Sequence, residues 1–189
     1  MIAASIFGAY YYLGTLPKKV TSYQNIKLGD TKESVELALG VPSNVSLPPE
    51  KKKFILENET IPLVFEVTKM ATRKEIESNP RNEKGYDDWE FRRPGFSVFV
   101  KFDQTTEKLK LISCYIFDFS KIDHEACSVN KIHAADSEEK IIGALGKPDS
   151  IERAGPTKIL NYPALNMLIL VDKEGIFNIQ IKDARFTAR

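Results

Sequence analysis

The sequence predicts an α+β protein built from two tandem repeats, each with short helices packed on a three-stranded or larger antiparallel sheet. Three observations carry this. The block Asp30-Thr31-Lys32-Glu33-Ser34-Val35-Glu36-Leu37-Ala38-Leu39-Gly40-Val41-Pro42 reappears as Asp136-Ser137-Glu138-Glu139-Lys140-Ile141-Ile142-Gly143-Ala144-Leu145-Gly146-Lys147-Pro148. The same register extends outward, from Ile26 and Ile132 to Val45 and Ile151. Each block is also followed by runs with strand-like alternation. Self-similarity at a fixed spacing decides the architecture that every local motif must fit.

The first element of each copy reads as a helix. Asp30 and Asp136 are N-cap candidates, and Glu33 and Glu139 three residues on complete something close to a capping box. Val35, Ala38 and Leu39, like Ile141, Ala144 and Leu145, have the spacing of one buried stripe. Gly40 and Gly146 suit a left-handed helix end, and Pro42 and Pro148 prevent its resumption.

Strands come next. In the first copy Trp89-Glu90-Phe91 leads into Phe96 to Asp103, where Phe96, Val98, Val100 and Phe102 alternate with Ser97 and Lys101, and then into Leu109 to Ile116. In the second, Lys158 to Tyr162 leads to Met167 to Val171, a turn at Asp172-Lys173-Glu174-Gly175, and Ile176 to Ile181. The expected order is a helix and three antiparallel strands, twice. Trp89, which opens a strand, reads as core. The second copy is apolar on both faces, as though one side packs on something else.

The pattern Ile26-x-Leu28-Gly29-x-Thr31, Val35, Leu39-Gly40-x-Pro42, then Trp89-x-Phe91 and a strand ending Phe102-Asp103, resembles the SmpA/OmlA (BamE-like) family. Its duplication is similar to the tandem layout of the beta-lactamase inhibitor protein. The second copy has Ala135 at the glycine position and lacks the tryptophan. The resemblance implies a small, non-enzymatic envelope module that binds other proteins, in outer-membrane assembly or in inhibition. It carries over no catalytic residue and no cofactor.

Composition fits a folded, unspecialised chain. At 189 residues and 42% hydrophobic content it can bury one sizeable core or two small ones. Net charge is +1 with acids and bases interspersed, which excludes the basic stripe of a nucleic-acid-binding protein. The Lys51-Lys52-Lys53 run, flanked by Glu50 and Glu57, reads as a solvated loop.

Residues 1–17 are read as an N-terminal hydrophobic anchor. Ile2 to Leu13 is uncharged and apolar or aromatic, and Pro17-Lys18-Lys19 follows. The run is shorter than the roughly 20 residues of a spanning helix and lacks the basic start of a signal peptide. The reading adopted is the distal part of a truncated signal anchor in the cytoplasmic membrane, with Tyr10-Tyr11-Tyr12 near the interface. A buried N-terminal helix and an intact signal peptide are the competing readings. Lys18 and Lys19 on the outer side run against the positive-inside tendency.

Residues 18–119 form repeat 1, with an insertion at about 46–88, and residues 120–189 form repeat 2. The insertion holds Phe54-Ile55-Leu56, Ile61 to Val67 and a short helix candidate from Lys69 to Glu77. One reading is an extra hairpin that widens the sheet; the other is a partner-binding edge with Tyr86, Arg92 and Arg93 at its exit. Tyrosine and arginine are the residue types that carry interface hot spots.

Cys114, His124, Cys127 and His133 are the only cysteines and histidines, and they fall close together. In an exported chain a Cys114–Cys127 disulfide is expected. A zinc site using all four has the right ligand types, yet C-x9-H-x2-C-x5-H lacks the tight cysteine pair of strong zinc motifs. Structural thiols are the third reading. Asp123-His124 beside Cys127 is a poor nucleophile and base pair, because such partners come from distant segments. No G-x-S-x-G, P-loop, H-E-x-x-H or dinucleotide fingerprint is present.

The expectation is therefore a non-catalytic, inner-membrane-anchored protein facing the periplasm and binding another envelope protein. Two alternatives stand beside it. One is a module for lipid or cell-wall fragments using a groove between the two sheets. The other is a soluble cytosolic interaction domain.

Overall fold

Both helices begin on a hydroxyl rather than on an aspartate. The computed structural model describes residues 17–46, 86–123 and 125–183. Helix α1 spans Lys32–Leu39 and α2 spans Glu138–Leu145. Their N-caps are Thr31 and Ser137, whose side chains accept the backbone N–H of Ser34 and Lys140. Asp30 and Asp136 turn the other way and accept the backbone N–H of Lys27 and His133, each at 2.8 Å. They thereby pin the preceding turn to the helix start. Glu33 and Glu139 therefore stand two residues past the caps and do not form the expected box with Asp30 and Asp136. Each carboxyl is held below its ordinary range by the backbone N–H of its own residue and then by the Thr31 or Ser137 hydroxyl.

The turns before the helices match as well. Gln24-Asn25 and Asn130-Lys131 both have positive φ, closing β1 (Ser22–Tyr23) on β2 (Ile26–Lys27) in one half and Val129 on Ile132 in the other. Two such residues in succession define the tight hairpin turn whose twist suits the flanking strands. The helices end alike, on Gly40 and Gly146, both at φ 82°. The buried stripe differs from the expected one: in α1 it is Lys32, Val35 and Leu39, while Ala38 faces solvent.

The strands overturn the expected α+β layout of two repeats, each with its own sheet of three or more strands. Among the described residues each half contributes four strands, and all eight form one antiparallel sheet in the order β3-β4-β5-β6-β10-β9-β8-β7. These are β3 Asn44–Ser46, β4 Tyr86–Arg93, β5 Phe96–Asp103, β6 Leu109–Ile116, β7 Ser150–Ala154, β8 Thr157–Tyr162, β9 Met167–Asp172 and β10 Gly175–Lys182. The extra strand in each half is the short segment around Val45 or Ile151, directly after the Gly-x-Pro helix stop. Fusion of the halves runs through β6 and β10, where Cys114 faces Ile179 and Ile112 faces Ile181. Two apolar edges would otherwise stay open to solvent, and pairing them removes both. The chain is thus more β-rich than a pair of helix-over-sheet units.

One core lies on one side of this sheet. Trp89, Phe91, Val98, Val100, Phe102, Ile112, Cys114, Leu160, Ile169, Ile179 and Ile181 are buried there with Val35, Leu39, Ile141, Leu145, Ile26 and Ile132. Trp89 is in the core as expected, edge-on to Phe102 at 5.0 Å between ring centroids. Residues 1–16, which carry the anchor reading, and 47–85, most of the insertion, lie outside the described residues, as do His124 and 184–189.

Candidate partner-binding face

A β-strand shows alternate side chains to opposite faces, so the registers that place the core also specify what stands behind it. One row across the back of the sheet reads Arg92, Ser97, Tyr115, Asn178, Leu170, Ile159, each residue opposite the next on the neighbouring strand. The adjacent row reads Glu90, Phe99, Ser113, Gln180, Leu168, Asn161. Both described helices bury their apolar residues on the other side. Aromatic, aliphatic and amide side chains thus run along the back over the seam between the halves, with Arg92 and Tyr115 exposed and Ser97, Ser113 and Asn178 buried among them.

Aromatic rings dominate its centre. Tyr115, 40% exposed, stands edge-on to Phe99 at 6.4 Å and to Phe177 at 6.2 Å between centroids. Phe177 reaches this cluster because the β9–β10 register shifts between Ile176 and Asn178. Between the rings lie small polar groups. Asn178 Nδ2 donates to Ser113 Oγ at 2.9 Å, and Ser97 Oγ donates to Glu90 Oε1 at 2.8 Å. At the margin the exposed Arg92 sits 5.8 Å over the Phe117 ring, with its Nε 3.6 Å from Glu90.

Of the three residues expected at a binding edge, the structure brings one to this face. Arg92 is on it. Arg93 has the opposite parity, and its Nη2 donates to the Leu39 carbonyl at 2.6 Å, holding the end of α1. Tyr86 opens β4 with its backbone opposite Asp103, and its side chain lies outside the described residues. Sequence reasoning missed Phe99, Tyr115, Phe177, Leu168 and Leu170. The signal was present in the two-faced apolar strands of the second copy and in Phe99, which interrupts the polar positions of β5.

Cys114 and Cys127 are joined in a disulfide, with Cα atoms 5.9 Å apart, tying β6 to the connector between halves. Both sulfurs of the candidate zinc set are thereby bonded to each other. His133 lies 3.4 Å from Glu125 and 3.6 Å from Asp136. Among the described residues no three His, Cys, Asp or Glu side chains are grouped to hold a metal ion. Burial alone would raise the Asp136 carboxyl; the Lys140 ammonium and the His133 N–H outweigh it and hold the group below its ordinary range.

Each of the two described helices is clamped to the sheet by an ion pair, and the two pairs have opposite polarity. Lys32 on α1 meets Asp87 on β4 at 2.5 Å, with both side chains buried. Glu138 on α2 meets Lys158 on β8, in a more exposed setting. The positions are equivalent, because Asp87 precedes Trp89, opposite Val45, by the same step that Lys158 precedes Leu160, opposite Ile151. Charge at this site has been exchanged while attraction is kept.

A cavity of about 370 Å³ opens beside the β1–β2 turn, lined mainly by polar residues including Lys19, Ser22, Gln24, Glu125, Ser128 and Asn130. Among the described residues the strands that were expected in two sheets lie in one eight-stranded sheet, so the expected groove between two such sheets is not formed by them. Among the described residues no helix is long and apolar enough to cross a membrane.

No family model and no curated protein matches the chain. Among solved structures, a cysteine-rich secretory protein from Staphylococcus aureus is similar over 88% of this chain, at 7% identity and a TM-score of 0.43. This chain spans 50% of that protein's length.

Proposed function

We propose that this is a non-catalytic binding protein of the cell envelope, anchored through its N-terminal segment and facing the periplasm, which holds another protein against the back of its eight-stranded sheet. The observation that carries the reading is the Phe99–Tyr115–Phe177 ring cluster, flanked by Leu168, Leu170 and Arg92 on a face to which neither described helix contributes core residues. Apolar centres rimmed by polar residues mark protein-binding surfaces, and tyrosine and arginine dominate their energetics. The resemblance to the SmpA/OmlA family supports protein binding, and the disulfide supports an oxidising compartment.

The test is site-specific photo-crosslinking in cells from positions 115 and 177, with position 173 in the β9–β10 turn as control. One discrete adduct from 115 and 177 and none from 173 is expected. The purified captured protein should then lose about 30-fold or more in affinity on Tyr115→Ala, the scale of a central hot spot. Absence of adducts at both face positions, or affinity unchanged by Tyr115→Ala, overturns the reading.

A further inference from the structure

Strand β7 ends the sheet on the side of the second half, and residues Ser150 to Ala154 are exposed along its whole length. An open edge offers unpaired backbone donors and acceptors to another strand. Its side chains specify which strand fits. Residues directly opposite in an antiparallel pair share a face. A two-fold axis perpendicular to the sheet therefore pairs only residues of equal parity.

We propose that β7 pairs antiparallel with β7 of a second copy about an axis at Ile151, joining two eight-stranded sheets into one. In that register Ile151 meets Ile151, Ser150 meets Glu152, and Asp149 meets Arg153, each of the last two pairs occurring twice. Ile151 is 47% exposed in the single chain and would be covered. Asp149 and Arg153 are exposed and have no ion-pair partner among the described residues. They cannot pair within the strand, since four residues of rise separate them by about 13 Å. Across the axis they stand directly opposite, about 5 Å apart at Cα.

Other symmetric registers lose this match, and centring on Ala154 sets Arg153 against Gly155. Centring on Glu152 or Arg153 opposes like charges, and centring on Ser150 sets Ile151 against Asp149. Such self-complementarity is required for a second copy and by no unrelated strand. At the other sheet edge β3 has only Asn44, Val45 and Ser46, with no charges to specify a partner.

Sedimentation equilibrium of the full chain, from low micromolar to near-millimolar concentration, is the test. A dimer weakened by salt is expected. Arg153→Asp should weaken it about tenfold or more, by opposing carboxylates at both ends of the strip. The double variant Asp149→Arg with Arg153→Asp should restore it to within about threefold, because the pair is reversed rather than lost. A monomer throughout, or a dimer indifferent to Arg153→Asp, overturns the proposal. So does a double variant as weak as the single one.

Discussion

Asp87→Asn and Glu138→Gln remove one carboxylate from each of two equivalent ion pairs, and their costs should differ severalfold. In the first half the Lys32 and Asp87 side chains are 4% and 0% exposed, 2.5 Å apart, with Glu107 on the surface 3.7 Å from the same ammonium. Removing one charge from a buried pair leaves the other desolvated and poorly compensated, a loss of about 3–5 kcal/mol. In the second half Lys158 and Glu138 are 33% and 21% exposed, and water can solvate whichever charge remains. That places Glu138→Gln in the range of exposed pairs, under about 1 kcal/mol. Urea unfolding followed by Trp89 fluorescence is the assay, since this single tryptophan is buried in the common core. The reversed pair Lys32→Glu with Asp87→Lys should recover at least half of what either single reversal loses, as the second half already uses that polarity. Equal costs for Asp87→Asn and Glu138→Gln would refute the burial argument. A double reversal no better than the worse single one would refute the equivalence of the two sites.

Gly175→Ala should cost about 3 kcal/mol in the same assay, because φ is +109° there and an added Cβ would lie 2.7 Å from the Ala135 Cα, in backbone that cannot yield. Ala135, at φ 62°, occupies the left-handed position that Gly29 fills in the first half, so Ala135→Gly should stabilise by about 0.5–1 kcal/mol. Replacing both Cys114 and Cys127 by alanine opens a cross-link between residues 13 apart and should cost about 3 kcal/mol, measured against the oxidised parent. Burial, and then the Glu138 carboxylate, push the Tyr162 hydroxyl up to about 12 from its ordinary value of 10.0. From pH 10 to 12 the unfolded chain therefore binds fewer protons at this group, and stability falls as pH rises; Tyr162→Phe should remove that share of the alkaline loss. It should also cost about 1 kcal/mol at neutral pH through the lost bond to the Gly146 carbonyl.

Local chemistry was legible in the chain itself. Gly40 and Gly146 act through bonds a few residues long, so two helices with matching ends follow from the repeated block, although their N-caps are Thr31 and Ser137 and not the expected Asp30 and Asp136. The doubling was legible for the same reason, as was the core position of Trp89. The pairing of the cysteines was one of three open readings, because a thiol's partner depends on where distant chain segments meet. Tertiary structure decided what lies between the halves. Whether two meanders remain separate or fuse depends on the registry of β6 with β10, which are 58 residues apart at their nearest ends, from Ile116 to Gly175 with the two ends excluded. No local pattern encodes that distance. The same fusion brought Phe177 beside Phe99 and Tyr115 on one face, while the packing of helix on sheet within each half set Lys32 against Asp87 and Glu138 against Lys158. Caps and turns are satisfied by neighbours in sequence, whereas a sheet seam, a ring cluster and a buried charge pair exist only once remote strands share an environment.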